Sequence, residues 1–108
     1  MKHFTLLVAI CFLSWQSNSQ ITTYPYSEDF EGGAGGWAAS GTLWQLGTPA
    51  AGTITGANSG TNSWATNLTG NYVGNANAIV TSPVFDFSAV LNPLMQLSIW
   101  WNSENSWD

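Results

Sequence analysis

Beyond residue 19 the chain is never far from a turn former, and that punctuation excludes most architectures before any motif is considered. Gly32, Gly33, Gly35 and Gly36 can take positive φ, Gly70-Asn71 and Gly74-Asn75 suit tight reversals, and Pro49, Pro83 and Pro93 cap or interrupt hydrogen-bonded ladders. Glu, Lys, Arg and Gln never occur in periodic array, so an α-helical domain is not expected. What remains between the turns is a series of short segments, 22–26, 42–46, 63–66, 78–82 and 94–102, each of strand length. Residues 47–77 are uncharged and rich in Gly, Asn and Thr. They read as surface loop around one strand at Trp64, with a low-complexity linker as the alternative.

The clearest periodicity lies near the carboxyl end, where Met95, Leu97, Ile99 and Trp101 alternate with Leu94, Gln96, Ser98, Trp100 and Asn102. A period of two predicts a buried stripe that carries Trp101 into the core and turns Trp100 to the opposite face. Such a stripe needs a second sheet about 10 Å away, so the expected fold class is an all-β, antiparallel β-sandwich. After this row come Trp107 and Asp108 with no closing turn or further strand, and the core is thin. The sandwich is therefore expected to be incomplete and the sequence to be the front of a longer protein.

The first nineteen residues read as an export signal. Lys2 and His3 make a positive start, Phe4 to Leu13 is apolar apart from Thr5, and Ser17-Asn18-Ser19 supplies a small-x-small end, predicting cleavage before Gln20. The apolar run is about half the roughly 20 residues a membrane-spanning helix requires. Cys11 follows Ile10 rather than a small residue, which disfavours a lipid anchor there. Cleavage would leave residues 20–108 as one module and remove Lys2, His3 and Cys11, the chain's only basic, imidazole and thiol side chains. The rest carries six carboxylates and nothing to pair with them. That composition excludes Ser/His and Cys/His nucleophile pairs, a Schiff-base lysine, a zinc site of His or Cys, and a disulfide. It also excludes phosphate neutralisation, so nucleic acid is not a partner.

The order of motifs resembles a MAM-type β-jelly-roll module. The carriers are Ser27-Glu28-Asp29-Phe30-Glu31-Gly32-Gly33, then Gly36-Trp37, Trp44, Val80-Thr81-Ser82-Pro83-Val84-Phe85-Asp86-Phe87, and Leu97-Ser98-Ile99-Trp100-Trp101. The wording is similar to MAM-like modules near the start of secreted bacterial multidomain proteins, including adhesins and peptidases, many of them exported by type IX secretion. It covers the first half or so of such a module. Animal members carry cysteines near the acidic opening, and these residues have none, so disulfide bracing is not implied.

Two constellations could carry function. Glu28, Asp29 and Glu31 lie within four residues, and an extended backbone would turn Asp29 and Glu31 to one side with Phe30 opposite, a corner for a hard cation or a solvated acidic turn. The resemblance implies a structural Ca²⁺ there, with Asp29, Glu31 and Asp108 as candidate ligands. The second constellation is aromatic. Trp37, Trp44 and Trp101 read as core, whereas Trp100 and Trp107, flanked by Asn102, Ser103, Glu104 and Asn105, have the mixed polar setting of a glycan- or protein-binding surface. Packing is the competing reading of Trp100. Glu104 with Glu28, Glu31 or Asp86 is the available kind of carboxylate pair for glycoside hydrolysis, but no catalytic motif accompanies it. The triplet Asn67-Leu68-Thr69 matches a glycosylation sequon without other support. The expectation is an extracellular, non-catalytic recognition or adhesion module with a glycan or protein partner. The alternative is an accessory domain of a secreted metallopeptidase or other hydrolase.

Overall fold

The computed structural model describes residues 20–103. The expected signal peptide, and Glu104, Trp107 and Asp108 at the other end, lie outside the described residues. Among the described residues there is no helix, and therefore none long and apolar enough to cross a membrane. Four short strands make two separate antiparallel pairs: β1 (Ala38–Ala39), β2 (Trp44–Gly47), β3 (Ser63–Thr66) and β4 (Val80–Thr81), paired as β1 with β4 and β2 with β3.

The β2–β3 pair is the better built. Its register sets Trp44 against Thr66, Gln45 against Ala65, Leu46 against Trp64 and Gly47 against Ser63. Alternation then puts Leu46 opposite Trp64, an apolar cross-strand pair, while Gln45 is exposed and uses its side chain locally. Its Oε1 accepts the Leu68 backbone N–H at 2.9 Å, and Leu68 in turn accepts the Ala50 N–H at 2.8 Å. These bonds fold the loop after β2 onto the turn after β3, where Pro49 is fully buried and Ala51 and Ala65 form the apolar core. Leu68 lies so close to Gly47 that a side chain at that position would meet its Cδ1 at 2.8 Å.

The second pair is widened by side-chain and backbone bonds rather than by ladder. Ser40 donates its N–H to Ile79 O at 2.8 Å, and its Oγ accepts the Ile79 N–H at 2.9 Å. Trp44 links the two sheets, its indole N–H donating to Ala78 O at 3.2 Å just before β4. Ile21 adds a parallel bridge to the segment after β4, in which Ile21 N–H donates to Val84 O at 2.8 Å and Asp86 N–H to Ile21 O at 2.9 Å.

Around that bridge lies an aromatic group. Tyr24 meets Phe87 with ring centroids 5.5 Å apart, Phe87 stacks on Phe85 at 5.9 Å, and Phe85 meets Tyr26 edge-on at 5.3 Å. The Tyr24 hydroxyl donates toward Ile21 O and Asp86 O, each at 2.9 Å, so it closes the bridge as well as packing on it.

Three expectations need correction. Residues 22–26 form no strand; pairing there stops at the single bridge of Ile21. Strand β2 begins at Trp44 rather than Thr42. The largest departure is at 94–102, which forms no ladder and buries neither face. Met95, Leu97, Ile99 and Trp101 of the expected stripe are 58%, 57%, 66% and 78% exposed. Alternation states which side of a strand would be buried, but burial needs a partner sheet, and among the described residues none pairs with this segment. Trp101 is thus not a core residue.

Candidate functional site

The acidic opening is a turn, not the extended strand its spacing suggested. Phe30 takes φ 63°, a left-handed conformation uncommon for a bulky residue. The two carboxylates that precede it close the backbone on either side of it. Glu28 Oε1 accepts the Phe30 N–H at 2.8 Å, and Asp29 Oδ1 accepts the Glu31 N–H at 3.1 Å. The Phe30 ring packs edge-on against Trp37, with centroids 5.8 Å apart, which accounts for the Gly-Trp pair that follows the turn. Asp29 and Glu31 therefore do not flank Phe30 across a flat strand.

Glu31 reaches away from the other two acids to a distant loop. Its Oε1 accepts the backbone N–H groups of Thr61 at 2.8 Å and Asn62 at 2.7 Å, and its Oε2 accepts the Thr61 hydroxyl at 2.8 Å. The Asn62 N–H first, then the Thr61 N–H and hydroxyl, hold the Glu31 carboxyl below the ordinary carboxylate range. Glu28 turns the other way, its Oε2 accepting the Tyr26 hydroxyl at 3.4 Å beside Gly35.

These positions bear on the cation. Calcium takes six to eight oxygen donors, roughly, from a converging set. Among the described residues no group of three or more acidic, His or Cys side chains converges to hold a metal ion. Both Glu31 oxygens and Asp29 Oδ1 already accept protein hydrogens. Asp108, the third candidate ligand, lies outside the described residues.

The described carboxylates considered for glycoside hydrolysis each hold a backbone N–H. Glu28 and Glu31 serve the turn, and Asp86 caps its own one, with Oδ1 accepting the Ser88 N–H at 2.8 Å. The Ser88 hydroxyl, then its N–H, lower the Asp86 pKa. Glu104 is outside the described residues. A shallow recess of about 180 Å³ lies between Thr42, Leu43, Gln45, Asn67 and Val73, and no carboxylate lines it. Asn67 is itself a structural turn residue: at φ 83° its Oδ1 accepts the Thr69 N–H and its Nδ2 donates to Asn71 O.

Of the aromatic candidates, Trp100 is 50% exposed and stands on the exposed row beside Trp101. Trp37, Trp44 and Trp64 are half-buried, as packing residues would be. Trp107 lies outside the described residues. The aromatic group of Tyr24, Tyr26, Phe85 and Phe87 has no strand pattern that announces it, because Tyr24-Pro25-Tyr26 runs through a bend.

Comparison with known proteins gives one informative match. The chain is 40% identical over 88 residues, 80% of its length, to Bacillopeptidase F of Bacillus subtilis (strain 168), and the match spans 6% of that protein. No family model and no solved structure matches the chain. So small a share of a peptidase, joined to a composition after residue 19 that lacks His, Lys, Arg and Cys, makes these residues a non-catalytic segment.

Proposed function

We propose that the chain is a non-catalytic β-module of an exported multidomain protein, accessory to a larger peptidase or other hydrolase. The likeness to a minor stretch of Bacillopeptidase F carries this reading. The signal-like start at residues 1–19 supports export and an extracellular or cell-surface location. The all-β architecture and the succession of acidic turn, Gly-Trp and Ser-Pro segments support a MAM-like jelly-roll sandwich as the complete fold. The test is a segment exchange, in which residues 20–103 replace the matched stretch of Bacillopeptidase F. The exchange is expected to leave an intact protein that keeps its peptidase activity. A protein that accumulates intact but has lost that activity would overturn the proposal, because the stretch would then belong to the catalytic machinery.

A second reading rests on the solvent-facing indoles. Trp100 and Trp101, followed by Asn102 and Ser103, offer exposed aromatic faces next to polar groups, a setting that suits a glycan or extracellular protein partner. Glycan-array binding that disappears in Trp100→Ala, with the circular dichroism spectrum unchanged, is the expected result. Equal binding by the two proteins would remove Trp100 from that role.

A further inference from the structure

We propose that Glu31 is a built-in staple, bridging the acidic turn to the 60–62 loop by direct hydrogen bonds in the place where the resemblance puts a cation. Three donors from Thr61 and Asn62 occupy both oxygens of one carboxylate at 2.7 to 2.8 Å, some thirty residues along the chain. Hydrogen bonds to an ionised acceptor are about twice as strong as neutral ones, so this is the strongest polar link across the turn. Among the described residues no Lys or Arg competes for the carboxylate, because Lys2, the chain's only one, lies outside them. The acids nearest in sequence are turned elsewhere, Asp29 toward the Glu31 N–H and Glu28 toward Phe30 and Tyr26.

The receiving loop is shaped for the carboxylate. Gly60 takes φ 62°, and a Cβ there would sit 2.6 Å from both Cδ and Oε1 of Glu31. Only glycine lets the backbone approach so closely in that conformation. A second strand of contacts runs alongside, with Asn62 Nδ2 donating to Phe30 O at 3.4 Å and Thr48 Oγ1 to Asn62 Oδ1 at 3.4 Å. Asn62 immediately precedes β3, and Thr48 immediately follows β2. The staple therefore positions the end of the β2–β3 pair where residues 48–62 connect the two strands, and holds Phe30 in its left-handed turn without a metal.

Amide hydrogen exchange of residues 20–108 by NMR, with calcium or with EDTA, tests this. In Glu31→Ala, exchange at the Thr61 and Asn62 amides is expected to rise roughly tenfold or more, the factor implied by losing one charge-assisted hydrogen bond. Calcium and EDTA are expected to give the same wild-type rates. Thr61→Val, a milder change, should speed exchange at these two amides and leave the β2–β3 amides unchanged if Glu31→Ala does not fold. Unaltered rates in both variants would overturn the proposal. So would calcium-dependent slowing in the wild type that Glu31→Gln abolishes, because Glu31 would then be a cation ligand.

Discussion

The acidic turn at 28–33 and the apolar row at 94–101 are opposites in how they treat their own chemistry. The turn is built from charged and small residues that rarely signal order, yet every carboxylate in it has a hydrogen-bonding partner. The row has the strongest strand signal in the sequence, yet its large side chains are half or more exposed and it joins no ladder. The difference is one of range. An Asx-type closure or a carboxylate on two backbone N–H groups is complete once two short segments meet. An apolar strand is satisfied only when other strands flank its edges and a second layer covers its face. Local polar closure can thus order a segment that hydrophobic patterning alone leaves open.

Substitutions can break this contrast. Phe85→Ala removes the ring shared by Tyr26 and Phe87 and should have the largest effect, a loss of about 2–3 kcal/mol for a half-buried aromatic; urea unfolding followed by tryptophan fluorescence measures it. Gly60→Ala should cost about 1–2 kcal/mol for the left-handed conformation, together with displacement of the Glu31 carboxylate. The same titration reads it, and Gly56→Ala, where nothing lies near the added methyl, should move the midpoint far less. Tyr24→Phe keeps the ring against Phe87 and loses only the hydroxyl shared by Ile21 O and Asp86 O, so a smaller shift is expected.

Asp86 sharpens the comparison through pH. Its folded pKa lies below the unfolded value, so its contribution is fully present above the unfolded pKa and fades as pH falls through the folded one. Asp86→Asn should therefore lower stability slightly at neutral pH and flatten the acid limb of the profile, the two proteins converging as pH falls below the folded pKa. The smallest stability effect should come from Leu97→Lys, because Leu97 is already exposed. Its visible consequence is higher solubility, measured as the soluble fraction after concentration, since it places a charge within an uncharged, strand-prone run.

Legibility followed the same division. Strand β3 lies where the sequence puts it, at Ser63–Thr66, and β2 and β4 fall within two residues of the expected segments, because Trp44, Leu46, Trp64 and Val80 are bounded by turn formers. Strand β1 was not legible, since Ala38-Ala39 has no pattern of its own, and its pairing with Val80–Thr81 is extended by the bonds of Ser40 to Ile79. In the candidate site, the acids were conspicuous but their geometry was not. Phe30 in the left-handed region reverses the alternation that would have aligned Asp29 with Glu31, and nothing local in the sequence reports that Gly60 has left room for a carboxylate.

The central claim is that order resides in the stapled, aromatic-bound body and not in the apolar row. Hydrogen–deuterium exchange of residues 20–108, read by mass spectrometry on peptides covering 44–47, 61–66 and 94–101, tests it most directly. Slow exchange in the first two peptides with near-unprotected exchange in the third is the expected result. Protection at 94–101 equal to that of β2 and β3 would contradict the account.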